Sequence, residues 1–267
     1  MNLIVPVDFS SHSRAATRFA AALQQTHPGQ VHLVHVMVPL EEEPDYLPVQ
    51  TLNAKKNIVF EIVNLQQQLQ QQYNLKTSCD LLPGDIAQQI IRSARQNKAD
   101  LIVMGTQGIS GLRKYLYGSH TSSVIDHSPV PVLTLPEEAT FKPFQRMVYA
   151  TDYNYSNLRD VKRIAQFAER FQAMISLVHI NQFNGATVKP SGLEDFKELV
   201  SANIQYPHIT FEEHQNTDTA EGLKLFLQDE KADLLIISNR RKNLVERISG
   251  RGLNDYVFDL EIPLLVF

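Results

Sequence analysis

The chain has 267 residues, 43% hydrophobic and 20% charged, with a formal net charge of −4. That length suits two ordinary domains, the mild negative charge implies no nucleic-acid-binding surface, and no apolar run is long enough to cross a bilayer. A single cysteine, Cys79, rules out an internal disulfide and fits a reducing cytoplasm.

The opening run, MNLIVPVDFSS, lacks the basic, apolar, small-residue order of a signal peptide and reads as a first strand over 2–7. SSHSRAATRFAAALQQ (10–25) has a helical pattern, with Ser10 or Ser11 as its cap. Residues 31–38 form a second strand, and VPLEEEPDYLP (38–48) reads as a solvated acidic loop. NAKKNIVFEIVNLQQQLQQQ (53–72) sets Ile58, Ile62, Leu65 and Leu69 at helical spacing. The glutamines of LQQQLQQQYN (65–74) read as its solvated face. A third strand over 76–82 takes Cys79 as a buried packing residue. GDIAQQIIRSARQN (84–97) is a third helix with Asp85 at its start. A fourth strand (101–104), a short helix (HTSSVIDHS, 120–128) and a fifth strand (130–135) complete the series. PEEATFKPF (136–144) reads as a linker.

The same unit is written twice. LIVPVDFSSHS (3–13) resembles MVYATDYNYSN (147–157), and VHLVHV (31–36) resembles ISLVHI (175–180), both pairs 144 residues apart. KADLIVMG (98–105) matches KADLLIIS (231–238) at a separation of 133, and SPVPVLTL (128–135) matches LEIPLLVF (260–267) at 132. The drift places a deletion in the second copy, in its second helix. So long a period means duplicated domains, 1–138 and 139–267, not a solenoid. Strands alternating with helices predict an α/β fold: two tandem doubly wound parallel five-stranded sheets, order 3-2-1-4-5, with helices on both faces. In that order winding reverses between strands 1 and 4, and such sheets bind ligands at the carboxyl ends of those strands. Asp8 ends strand 1 and Gly105 ends strand 4.

After strand 4 comes MGTQGISGLRKYLYGSHTSS (104–123), spaced Gly105-x2-Gly108-x9-Gly118-Ser119. Glycines let a ligand touch backbone N–H groups with no Cβ in the way, and successive N–H groups form an anion trap. The helix opening at Gly118-Ser119, with the Thr121 hydroxyl, supplies a second anion contact. Together they can clamp a polyphosphate, with Arg113 and Lys114 screening its charge. Neither the Walker loop nor the dinucleotide G-x-G-x-x-G pattern is present.

VMGTQGISGLRKYLYGSHTSSVIDHSPVPVLTL, with IVPVDFS and LVHV before it, resembles the universal stress protein family, and the resemblance spans both halves. In the family's ATP-binding branch the glycine loop and the Gly-Ser pair hold phosphates. The resemblance gives that role to Gly105, Gly108, Gly118, Ser119 and Thr121. It places Asp8 by the ribose and a Mg²⁺ ion, the backbone of Val36 on adenine, and Pro6, Val7 and Met104 along the pocket. It also implies that the loop at 38–48 lies near the site. Apolar fifth strands imply an intrachain pseudo-dimer and allow a homodimer.

The second half departs from this pattern. Gly105 aligns with Ser238 and Gly108 with Arg241, while Gly118 aligns with Gly250 and is followed by Arg251. One nucleotide site per chain is therefore predicted, in the first half, with NRRKN (239–243) read as a solvated basic loop. His35 and His179 stand at matching strand ends and read as histidines that bond backbone. No H-E-x-x-H, C-x-x-C or G-x-S-x-G motif occurs, so no metal cluster and no nucleophilic triad is legible. Glycine is absent from DFSSHSR, which argues against adenylation chemistry. The reading is a cytoplasmic ATP-binding regulatory protein with no catalytic residue assigned. Its rivals are a slow ATP hydrolase, with Asp8 positioning water, and an interaction module that needs no nucleotide.

Overall fold

The computed structural model describes residues 1–38, 49–106, 119–182, 192–239 and 262–267, with backbone alone at 49–55 and 119. The described residues form two compact units, one ending at Phe141 and the other running from Lys142 to Phe267. Residues 139–141 thus go with the first unit. Phe141 packs edge-on against Phe19 of that unit, 5.3 Å between ring centres, and Phe144 packs against Phe171 of the other, 5.2 Å.

In the first unit the elements run β1 (Asn2–Pro6), α1 (Ser11–Gln25), β2 (Gln30–Met37), α2 (Val49–Tyr73), β3 (Thr77–Pro83), α3 (Ile86–Gln96), β4 (Leu101–Gly105), α4 (Ser119–His127) and β5 (Val132–Leu135). All pairings are parallel, in the order β3-β2-β1-β4-β5, as the alternation of patterns predicts. Ser10 caps α1, its hydroxyl accepting from the Ser13 amide at 3.2 Å, and Asp85 caps α3 through the Gln88 amide at 2.9 Å. Each cap satisfies an N–H that the helix cannot. Ile4, Val34, Ile102 and Met104 face α3 and α4 in one apolar cluster. Side chains alternate along a strand, so Gly105, next after Met104, turns to the opposite face, where α1 passes.

The second unit runs β6 (Arg146–Ala150), a 3₁₀ turn (Tyr155–Asn157), α5 (Leu158–Glu169), β7 (Met174–Gln182), α6 (Leu193–Asn203), β8 (Ile209–Asn216), α7 (Thr219–Asp229), β9 (Leu234–Ile237) and β10 (Leu264–Val266). Its order, β8-β7-β6-β9-β10, repeats that of the first. Register repeats as well. Leu3 opposes Leu101 as Met147 opposes Leu234, and Ile102 opposes Val132 as Leu235 opposes Leu264, so the separations read from sequence are structural equivalences. The shared KAD motif has a role in both copies: Asp100 accepts the Asn2 amide at 2.6 Å, and Asp233 accepts the Gln145 and Arg146 amides at 2.7 and 3.1 Å. The predicted shortening falls in the second helix, 11 residues in α6 against 25 in α2.

Two readings of the first unit need correction. The glutamines of α2 are not all solvated surface. Gln66 and Gln70 donate to the Thr77 carbonyl of edge strand β3 at 3.1 and 3.3 Å, and Gln66 accepts from Cys79 at 3.0 Å. An edge strand leaves backbone groups unpaired, and long amide side chains reach one of them here. Cys79 is accordingly half-buried instead of buried. Burial, then the adjacent Asp80 charge, raises its thiol pKa, which disfavours the reactive thiolate.

Candidate functional site

The crevice at the β1 and β4 ends starts from an unusual turn. Pro6 closes β1, and the buried Val7 continues the ladder by donating to the Val34 carbonyl at 2.8 Å. Asp8 is exposed, and Phe9 takes a left-handed conformation, φ 64°. Such a φ is uncommon outside glycine, and it turns the chain sharply from strand to helix. The turn brings Asp8 Oδ1 onto the Ser10 amide at 3.0 Å and the Ser10 hydroxyl at 2.6 Å. Desolvation pushes the Asp8 carboxyl upward, but bonds from the Ser10 and Ser13 side chains and the Ser10 amide outweigh it and hold the pKa below the usual value. An ionised oxygen donor of this kind suits a hard cation such as Mg²⁺. Among the described residues no group of three or more His, Cys, Asp or Glu could hold a metal by itself.

Beside it, Met104 is buried in the cluster under α3 and α4, and Val36 packs against the same cluster. Gly105 ends β4, and Thr106 turns back on β5, its amide and hydroxyl both donating to the Leu135 carbonyl at 2.9 and 3.1 Å. Thr121 is buried in α4, whose first residue is Ser119. The structure thus gathers Pro6, Val7, Asp8, Met104 and Gly105 at two neighbouring strand ends, with Val36 on the next strand. Gly108, Arg113, Lys114, Gly118, the Ser119 side chain and the acidic loop at 39–48 lie outside the described residues, as do Arg241, Gly250, Arg251 and the rest of NRRKN beyond Asn239.

The two strand-end histidines behave alike. His35 Nδ1 donates to the Val7 carbonyl at 2.6 Å, and His179 Nδ1 to the Thr151 carbonyl at 2.8 Å. A carbonyl only accepts, so the proton sits on Nδ1 in both. His35 also stacks on Phe9, 5.0 Å between ring centres. These rings are structural ties behind the turn, as read from sequence.

One polar cluster corresponds to no motif in the sequence. His32, 4% exposed, bonds Ser78 through Nδ1 at 2.6 Å and Asp80 through Nε2 at 3.0 Å. Ser, His and Asp meet here because β2 and β3 pair His32 with Ser78 and Val34 with Asp80. Their separations of 46 and 48 residues carry no local signal. The cluster ties the edge strand to its neighbour, and in the second unit Ser176 and Thr210 make the equivalent tie at 3.2 Å. His12, in the first turn of α1, lies 3.2 Å from Glu137.

The second unit builds the same corner from different residues. Tyr153, in place of Phe9, keeps the left-handed turn, φ 52°. Its buried hydroxyl contacts the Leu177 carbonyl at 2.8 Å and the Glu212 carbonyl at 2.7 Å, and accepts the Glu212 amide at 3.1 Å. Asn157 donates to Thr151 Oγ1 at 2.8 Å and Asp152 Oδ1 at 2.7 Å. Ser238, in place of Gly105, donates to Asp160 at 2.7 Å.

The profile of the universal stress protein family matches residues 1–136. A universal stress protein of Thermus aquaticus is 30% identical over 133 residues, 49% of this chain and 95% of that protein. One from Methanocaldococcus jannaschii is 28% identical over 138 residues, 50% of this chain and 80% of its own. A solved universal stress protein of Archaeoglobus fulgidus aligns over 99% of this chain and 97% of its own, with a TM-score of 0.73 and 17% identity, which shows a shared fold across both halves. Among the described residues no helix is long and apolar enough to cross a membrane.

Proposed function

Since this chain belongs to the universal stress protein family, we propose that its first half binds ATP with Mg²⁺, and that the bound state is what a cytoplasmic partner reads. One observation carries the reading. The glycine-rich stretch Gly105-x2-Gly108-x9-Gly118-Ser119 leaves β4 where strand order reverses, next to the β1 end that holds an ionised Asp8. Side-chain-free amides and the start of α4 would hold phosphates. Asp8 would face the cation, which when bound neutralises phosphate charge. Val36 and Met104 border the apolar floor on which a base would lie. ATP would order the glycine stretch and shift the population toward one surface, which is regulation without chemistry on the nucleotide.

The test is mass spectrometry of small molecules released from purified protein, followed by calorimetric titration with ATP–Mg. One nucleotide per chain is expected, abolished by Gly108→Val and little changed by Arg241→Ala. Protein that releases no nucleotide and shows no thermal shift with ATP–Mg would overturn the reading.

A further inference from the structure

The backbone on either side of Asp8 is tied without its side chain. Val7 donates its amide to the Val34 carbonyl at 2.8 Å, and its own carbonyl accepts from His35 Nδ1 at 2.6 Å. The Phe9 carbonyl accepts from Arg14 Nε at 3.1 Å. Among the described residues no cationic side chain pairs with Asp8, and the Arg14 guanidinium lies 3.9 Å from Glu61 instead. The exposed carboxylate is held chiefly by Ser10. The Ser10 amide and hydroxyl both donate to Oδ1, at 3.0 and 2.6 Å, and neither bond uses Oδ2. Ser13 adds to the hold, though its hydroxyl also bonds the Ser10 carbonyl at 3.2 Å.

A serine hydroxyl has one proton and two lone pairs. Here the proton goes to Asp8, while a lone pair takes the Ser13 amide at 3.2 Å and caps α1. One hydroxyl thus joins the carboxylate to the start of the helix. Capping alone does not demand serine, since asparagine caps as well. The second unit separates the two roles. Asn154 stands there in place of Ser10, after the same left-handed turn. Its amide still reaches Asp152 Oδ1, at 3.3 Å, but its side chain accepts from the Ser156 amide at 3.1 Å. The side-chain donor to Asp152 Oδ1 is Asn157 instead, at 2.7 Å. Each aspartate is therefore gripped at Oδ1 by one amide and one side chain, and in the first unit that side chain is Ser10.

We propose that Ser10 is a positioning residue for the metal ion of a bound nucleotide: its grip on Oδ1 fixes the Asp8 carboxylate in one rotamer and leaves Oδ2 to a hard divalent cation. The ion rests on the ATP–Mg reading of the first half, whereas the grip rests on the hydrogen bonds alone. A ligand atom fixed in advance loses no rotamer freedom on binding, which for one side chain is worth about fivefold in affinity.

The experiment compares the full chain with Ser10→Asn, Ser10→Thr and Ser10→Ala. In the free protein, three-bond NMR couplings about the Asp8 Cα–Cβ bond are expected to show one rotamer in the parent and in Ser10→Thr, and averaging in Ser10→Asn and Ser10→Ala. Ser10→Asn keeps the cap and is expected to match the parent in urea denaturation, while Ser10→Ala loses stability as well. Calorimetric titration is expected to show Ser10→Asn about fivefold weaker for ATP–Mg and unchanged for ATP in EDTA. Asp8 as fixed in Ser10→Asn and Ser10→Ala as in the parent, or equal losses with and without metal, would overturn the proposal. Failure of the unaltered chain to take up ATP would overturn the nucleotide reading and the ion with it, while the couplings still decide whether Ser10 holds the carboxylate.

Discussion

The backbone carbonyl of His12 lies where a Cβ on Gly105 would have to go. Gly105 is therefore glycine for a reason of packing that holds with or without a ligand: α1 crosses the end of β4 too closely for any side chain. Gly105→Ala forces backbone to move, and overpacking of this kind costs about 1–3 kcal/mol. Urea denaturation without nucleotide should show that loss in the first unit. A variant as stable as the parent would show that the helix start can shift at no cost.

Ser238 and Asp160 form one buried unit, 2.7 Å between donor and acceptor. Ser238→Ala leaves a buried carboxyl group without this donor, a loss of about 1–3 kcal/mol. Removing both partners is expected to cost less than the sum of the single changes, because neither group is then left behind. A double-mutant cycle by urea denaturation measures the coupling. Additive effects would mean that the pair does not act as a unit.

Asp8 titrates below the ordinary carboxylate value of about 3.8, the Ser10 and Ser13 bonds prevailing over desolvation. Folding thus favours its charged form. Its stabilising contribution is full above pH 3.8 and disappears as pH falls through the lower folded value. The stability gap between parent and Asp8→Asn should be constant above that pH and close below it. The same substitution should weaken ATP–Mg binding by about tenfold, the size of one lost charge-assisted contact. ATP without metal should be affected less.

Tyr153 is the alkaline counterpart. Desolvation is the main cause that raises its phenol far above the ordinary value of 10.0, with the nearby Glu213 and Glu212 charges adding to it against backbone hydrogen bonds. The folded state favours the neutral ring, so its contribution is full below about pH 10 and is lost as pH rises toward the folded value. Tyr153→Phe should flatten the loss of second-unit stability above pH 10 and cost about 1–3 kcal/mol at neutral pH. An unchanged alkaline limb would show that other tyrosines govern it.

Much of the fold can be read along the chain. Alternating apolar runs and helical periods predict the strand order, the helix starts at Ser10 and Asp85 are capped as read, and a histidine repeated at two strand ends bonds backbone at both. Asp8 and Gly105, read from sequence as the ends of strands 1 and 4, do stand at neighbouring strand ends, because the sheet order pairs β1 with β4. Less legible were the edge-strand bonds of Gln66 and Gln70, since a run of glutamines looks the same whether it meets water or a carbonyl.

Periodicity, capping residues and repeat spacing determined the two-fold α/β plan from sequence, because each is a pattern among near neighbours that governs local backbone geometry. Tertiary structure alone decided why Gly105 has no side chain, where the left-handed turns at Phe9 and Tyr153 fall, and that Ser238 meets the buried Asp160. Asp160 and Ser238 stand 78 residues apart, and their partnership exists only once the order of the sheet lays the end of β9 beside the first turn of α5.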